Sequence, residues 1–339
     1  MLDTLNNNQP TKEIDLIGIG NAIVDILVNV EDSFLKTNKL QKGSMNLIDL
    51  ETSERLLANC QVIKKVSGGS SANTVVSLSN LGNVVQFIGR VKDDHFGNIF
   101  SDEIRKSGAI FNVSPTSSNN SSGHSIIFIT PDAQRTMCTY LGASTEFDSK
   151  DINPTPIQNS KYLYLEGYLW DSELAKKAFI HAANIAQKAN AKIILTLSDS
   201  FCVIRHKESF LELIKDYVDI LFCNEEELKC LFNEANLQKC KENIKSLCDI
   251  TIVTLGGKGS VIINGDESLE IAPISFGKII DTTGAGDIYA GGFINGLIKN
   301  YPLKLCGELG SICAGHIITV IGSRANENLI GLIDKNLSN

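Results

Sequence analysis

A chain of 339 residues can bury a large core, as one big α/β domain or as a main domain with a smaller attachment. Its 43% hydrophobic and 21% charged residues are those of an ordinary soluble globular protein. A net charge of −8 argues against nucleic acid as the main partner, since that would need a basic face. The first residues, MLDTLNNNQPTKE, are polar and lack a basic segment followed by an apolar one, so 1–13 is expected to be poorly ordered and not a signal peptide. No apolar run approaches the roughly 18 residues needed to cross a bilayer, so no membrane partner is expected. The nine cysteines are scattered, odd in number and without a CxxC pair. That pattern fits reduced thiols and a cytoplasmic location.

In chain order, the folded part opens on an apolar strand over 14–19 that runs into glycine. Further β-like runs cover 84–88, 125–129, 162–165, 192–197, 220–222, 250–254 and 260–263. Amphipathic helical patterns lie at 71–81, 95–107, 172–189, 207–217 and 225–232, and a last one runs to Ile298. Apolar strands alternating with helices read as βαβ units on a mostly parallel sheet covered on both faces. Two segments break the alternation, at about 26–50 and 110–142. HSIIFITPDAQRTMCTYLG reads as a hairpin turning at Pro131-Asp132-Ala133. The expectation is one α/β domain over 14–330, with a small β-sheet lid built from those two segments.

DTTGAGDIYAGGF, from Asp281 to Phe293, places Gly284, Ala285 and Gly286 between two carboxylates and then begins a helix. A helix N-terminus carries unpaired N–H groups and partial positive charge, so this turn suits an anion. Asp287 at the same place would repel that anion unless it has work of its own. Two familiar phosphate motifs fail. Ile23 stands where the third glycine of a dinucleotide fingerprint belongs, and Lys258 of GGKGS is followed by Gly259 instead of Ser or Thr.

In SGGSSANTVVSLSNLG, Gly68 and Gly69 let the backbone approach a ligand, and Asn73 projects an amide from a first helical turn. A plain loop-to-helix joint accounts for the same residues. Asn21 and Asp25 lie just beyond the first strand, where α/β sheets put ligands, and an amide with a carboxylate suits vicinal hydroxyls. Asn224 and Glu227 of NEEEL read either as a helix cap or as a reach toward hydrated Mg²⁺. TLGGKGS, over 254–260, reads as a glycine turn between strands or as a loop laid against nucleotide phosphates.

Together these stretches resemble the ribokinase-like (PfkB) family of sugar and nucleoside kinases, from about Asp15 to Asn328. Asp281 to Asp287 match its C-terminal signature, and Gly68, Gly69 and Asn73 its N-terminal one. Asn224 and Glu227 match its N-x-x-E motif, while Thr254, Gly256 and Gly259 match its ATP-site T-x-G-x-x-G. The resemblance implies a ribokinase-like fold and an ATP- and Mg²⁺-dependent phosphotransferase. In it, the backbone of Gly284, Ala285 and Gly286 holds the transferred phosphoryl group and Asp287 is the general base. Asn21, Asp25, Gly68, Gly69 and Asn73 would hold the acceptor, with Arg135 on the hairpin touching substrate or phosphate. Asn224, Thr254, Gly256, Gly257, Gly259 and Thr283 fall to the nucleotide, and Glu227 to the metal through water. A monovalent cation such as K⁺ and a homodimer through the lid stay open.

GNAIVDI at 20–26, DSFL at 32–35 and LQKGSMNLID at 40–49 look most like the adenosine kinase branch. RTMCTYLGAS at 135–144 and LSDSFCVIRH at 197–206 also resemble bacterial members loosely called sugar kinases. A nucleoside acceptor, adenosine-like first, therefore stands beside a ribokinase- or fructokinase-type sugar, with a catalytically silent regulatory member as the non-enzyme alternative.

Overall fold

The computed structural model describes residues 12–58, 60–132, 134–324 and 329–337. All but the last two residues of the segment expected to be poorly ordered lie outside them, as does Ala133 of the expected hairpin turn. Thirteen strands form among the described residues: β1 (Ile14–Ile19), β2 (Ile23–Asn29), β3 (Met45–Leu47), β4 (Val62–Gly68), β5 (Val85–Ile88), β6 (Gly123–Ile129), β7 (Arg135–Tyr140), β8 (Ser160–Glu166), β9 (Lys192–Thr196), β10 (Ile220–Asn224), β11 (Ile250–Thr254), β12 (Ser260–Asn264) and β13 (Glu267–Ile271). The helices are α1 (Asp32–Thr37), α2 (Leu50–Leu57), α3 (Ser70–Asn80), α4 (His95–Lys106), α5 (Pro154–Gln158), α6 (Glu173–Lys188), α7 (Ser200–Tyr217), α8 (Glu225–Phe232), α9 (Leu237–Ile244), α10 (Ala285–Ile298), α11 (Leu303–Ile317) and α12 (Leu329–Leu337).

The large sheet has the order β13-β12-β11-β10-β9-β8-β1-β5, parallel except for β12 and β13 at one edge. Its central strands are near-continuous apolar runs because both faces are covered. Ile17, Leu163, Ile193, Leu221 and Val253 enter one core, while Leu16, Tyr164, Ile194, Ile220 and Ile252 enter the other. That alternation is the period of two that strand geometry requires. A Cβ at Gly18 would sit 2.5 Å from Val75, so this glycine lets α3 close against β1.

The second sheet runs β3-β7-β6-β2-β4. It draws on more of the chain than the segments 26–50 and 110–142, since β2 begins at Ile23 and β4 lies at Val62–Gly68. The four residues VIKK that open β4 mix apolar and charged side chains with little alternation and leave Val62, Ile63 and Lys64 exposed at a sheet edge. Pairing with β2, not local pattern, makes them a strand. The helix expected over 207–217 begins earlier, at Ser200, capped by Asp199 and kinked at His206 (φ −125°, ψ 22°). Arg205 and His206 both bond Asp171 at that kink.

The topology places the chemistry. From β1 the chain passes to β5 on one side and later to β8 on the other, so the strand order reverses between β1 and β8. Ligand crevices form outside the carboxyl ends of strands at such a point. Asn21 follows β1 there, Glu166 ends β8, and Asn21 Nδ2 donates to Glu166 Oε1 at 2.7 Å.

Candidate active site

Asp281 begins the glycine-rich turn with its side chain buried, accepting from Thr283 N at 3.0 Å and Gly322 N at 2.7 Å. Gly284 caps α10 in the left-handed region (φ 75°) and presses against Ser323, so both its dihedral and its neighbour require glycine. Gly286 is different. Its φ is not in the left-handed region, and a Cβ there would meet nothing within 4 Å. Folding does not ask for glycine at 286. The open space it preserves belongs to the cavities that it lines at the start of α10.

Asp287 lies in the same helical turn. Ser70 Oγ donates to its Oδ1 at 2.6 Å and Asn73 Nδ2 to its Oδ2 at 2.9 Å, both from the start of α3. Burial pushes its carboxyl up to about 6, against these two hydrogen bonds and the Arg324 charge. A carboxylate fixed at two points and titrating just below neutrality is suited to take a proton.

Three cavities meet here. The first, about 150 Å³, is lined at one side by Asn21, Asp25, Gly69, Asn73 and Glu166, and by the apolar Ile23, Met45, Ile127, Met137 and Leu141 of the small sheet and its borders. The second, about 720 Å³, holds the turn 281–287 together with Arg135, Asn224, Glu227 and Thr254. The third, about 260 Å³, runs from Thr254, Gly256, Gly257 and Gly259 to Ile279, Tyr289, Ala314 and Ile318. Thr283 and Tyr168 line both the first and second; Ala285 and Gly286 line both the second and third. The residues singled out in the sequence thus converge on one continuous cleft. Gly68 sits beneath it, where a Cβ would fall 2.4 Å from the Asp25 carboxylate.

Burial raises three more carboxyls around the cleft. Asp25 rises to about 7 despite the Arg324 and Arg135 charges, and Glu166 to about 7 despite hydrogen bonds from Ser71 and Asn21. Glu227 also rises to about 7, with Asp199 and Asp287 adding repulsion to its burial. Such a concentration of perturbed acids marks a working site more than a packing accident.

Side-chain partners refine the expected roles. Arg135 reaches across from β7 to pair with Asp281 at 2.5 Å. Asn224 caps α8 in a capping box: its Oδ1 accepts from Glu227 N, and Glu227 accepts from Asn224 N and Nδ2. Among the described residues no group of three or more His, Cys, Asp and Glu side chains could hold a metal directly. Asp199 and Asp287 nevertheless both add negative charge at Glu227, and a divalent cation resting on phosphate oxygens and water would relieve that repulsion. The donor set therefore fits a hydrated Mg²⁺.

Phe128 and Trp170 are core residues, packed on Phe34 and on Phe210 respectively, while Tyr168 lines the cleft. Sequence reasoning missed Ser70, Glu166 and Arg324. Glu166 carried a readable signal, a carboxylate directly at the end of an apolar strand. Arg324 carried none.

Among the described residues no helix is long and apolar enough to cross a membrane. The model of the pfkB family carbohydrate kinases matches residues 42–329. A nucleoside kinase of Methanocaldococcus jannaschii is 28% identical, over 78% of this chain and 82% of its own length. The solved structure of adenosine kinase from Sinorhizobium meliloti is 38% identical with a TM-score of 0.91, covering 96% of this chain and 99% of that one. A probable sugar kinase from Rhizobium etli is 37% identical over the same shares, also with a TM-score of 0.91.

Proposed function

The chain belongs to the pfkB family of carbohydrate kinases, and on that premise we propose that it transfers the γ-phosphoryl group of ATP to a primary hydroxyl of a nucleoside, adenosine-like first. The observation that carries the acceptor reading is Asp25. Among the described residues no hydrogen bond reaches its carboxylate, although it faces the first cavity beside Asn21 and Asn73. A half-buried carboxylate that opens on the cavity with unspent lone pairs is the complement of two vicinal hydroxyls. The apolar wall from Ile23 to Leu141, with its two methionines, suits a flat base better than a sugar that is polar all round. The names of the Methanocaldococcus and Sinorhizobium relatives agree with this choice.

Transfer of a phosphoryl group depends chiefly on positioning and on neutralising charge. Asp287, held by Ser70 and Asn73, takes the proton of the attacking hydroxyl. The first N–H groups of α10, over the space that Gly286 leaves open, receive the negative oxygens of the moving group. Arg135 adds positive charge to the same cleft. The apolar third cavity, floored by Gly256 and Gly257 and walled by Tyr289, would take the base of ATP. Glu227 would hold a hydrated Mg²⁺ through water, and the bound ion would supply charge neutralisation at the phosphates.

A panel of nucleosides and simple sugars tests the reading, with kcat/KM as the measure. Adenosine or a close relative should lead. Much faster phosphorylation of ribose or fructose would transfer the protein to the sugar-kinase reading, and no turnover of any acceptor would leave the silent member.

A further inference from the structure

Arg324 belongs to none of the sequence motifs. It lies on the loop after α11, yet it reaches the middle of the cleft. Its Nε donates to Asn73 Oδ1 at 3.2 Å, and its Nη1 donates to Ser67 Oγ. Ser323 Oγ donates to the same Asn73 oxygen at 3.3 Å. The other end of that amide, Nδ2, donates to Asp287 Oδ2 at 2.9 Å.

A primary amide presents its oxygen and its nitrogen on opposite sides, and a half-turn about χ2 exchanges them. With two donors on Oδ1, the nitrogen is the atom left for Asp287. The flipped amide would set an oxygen against a carboxylate and a nitrogen against a guanidinium. Both contacts would then repel.

Charge adds a second effect. Asp25, Glu103 and Asp287 are the anions that act on the Arg324 guanidinium. Its Nη2 is buried without a hydrogen-bond partner among the described residues. Ser70 and Asn73 on α3 face Asp287. Asp25 on β2, Glu166 on β8, Glu227 on α8 and the tyrosines Tyr164 and Tyr168 also feel its charge. Within that set Arg324 is the cation that favours the ionised form of Asp287.

We infer that Arg324 is a positioning residue for phosphoryl transfer: it holds the Asn73 amide in the orientation that donates to Asp287, and it gives the Asp25 and Asp287 carboxylates a shared positive neighbour. The inference rests on Asp287 being the base. It assigns a role to the loop after α11 beyond joining two helices.

Orientation and charge are separable. Steady-state rates of the full-length enzyme from pH 5 to 9, with melting temperatures, are compared for wild type, Arg324→Met, Arg324→Lys, Asn73→Ala, Asp287→Asn and the double variant Asn73→Ala/Arg324→Met. Arg324→Met should lower kcat by roughly 10- to 100-fold, the scale set by misplacing a reacting group. Its acid limb should also move to higher pH. Arg324→Lys keeps the charge, so its acid limb should stay in place while kcat falls severalfold, because a single ammonium cannot hold Asn73 and Ser67 together. In the Asn73→Ala background, Arg324→Met should cost much less than it does alone.

An unmoved acid limb in Arg324→Met overturns the charge role, and so does an equal shift in Arg324→Lys. Additive losses in the double variant overturn the orientation role, as does a wild-type kcat in Arg324→Lys. If Arg324→Met does not fold, the lysine variant alone decides the orientation role through kcat and the charge role through its acid limb. An inactive Asp287→Asn beside a wild-type-like Arg324→Met removes this inference and leaves the base in place. An active Asp287→Asn removes both.

Discussion

The two ends of the cleft are built in different ways. Around Asp25 and Asp287, the end proposed for the acceptor, side chains from far-apart segments hold one another: Asn21 on Glu166, Arg135 on Asp281, and Asn73 between Arg324 and Asp287. At the end proposed for the nucleotide, glycines take the place of such a network. Gly256 and Gly257 would each meet nothing within 4 Å if they carried a Cβ, and the other lining residues are mainly apolar. Specificity for a small polyhydroxylated acceptor needs directional, buried polar groups, which only a tertiary network can fix. A nucleotide can be held by local N–H groups and an apolar slot, which a short motif supplies by itself. Substitutions at the two ends should therefore fail in different ways.

The largest effect is expected at Asp25. Asp25→Ala should lower kcat/KM for the natural acceptor by up to roughly 10⁴-fold, because a site built around such hydrogen bonds depends on them. The variant should also discriminate poorly against an analogue of the acceptor that lacks one of the two vicinal hydroxyls. If it keeps the wild-type preference, the acceptor end is not organised around this carboxylate.

Asp287→Asn comes next, with kcat lower by roughly 10²–10⁴-fold, the range for a general base. The KM for ATP should stay within a few-fold, since the nucleotide end is untouched. A near-normal kcat would remove the base assignment.

Two glycines sharpen the contrast. Gly286→Val should lose roughly 10²–10³-fold in kcat, the scale of one oxyanion-hole donor, with little change in melting temperature because its Cβ enters open space. Gly259→Ala should do the reverse. There φ is 91° and a Cβ would lie 2.0 Å from Ile271 O, so the melting temperature should fall before any kinetic effect is seen. Equal behaviour of the two variants would erase the distinction between a glycine kept for a ligand and one kept for the fold.

Glu227→Gln should raise the Mg²⁺ concentration for half-maximal rate severalfold, through loss of one negative charge near a hydrated ion. An unchanged titration would reduce Glu227 to its capping bonds with Asn224.

The smallest expected effect is on unliganded stability. Asp25, Glu166 and Glu227 titrate near 7 and Asp287 near 6, all above their ordinary carboxyl values. Between about pH 4 and 7 the folded protein therefore binds more protons than the unfolded chain, so stability falls as pH rises through this window. The melting temperature of the ligand-free protein should be higher at pH 5.5 than at pH 8. Catalysis should run the other way, with kcat dropping about tenfold per pH unit well below 6 as Asp287 takes up its proton. Parallel curves for stability and rate would contradict the burial of these acids.

Read from the chain alone, the apolar strands of the large sheet, most helices and the residues of the glycine-rich turns were already legible, because each is a local pattern. The alternation of Leu16 and Ile17, or of Ile193 and Ile194, between two cores follows from period two. The segment from Asp281 to Asp287 announces a helix start by composition. The strand β4 at Val62–Gly68, the placement of Glu166 against Asn21 and Ser71, and the reach of Arg324 to Asn73 were decided only by tertiary structure. A strand at a sheet edge needs a partner before its backbone is worth extending, and the chain does not name that partner. Asn73 and Arg324 are 251 residues apart, and no local pattern links a guanidinium to an amide at that distance. Local propensity determined which residues could do chemistry; packing decided which of them face each other.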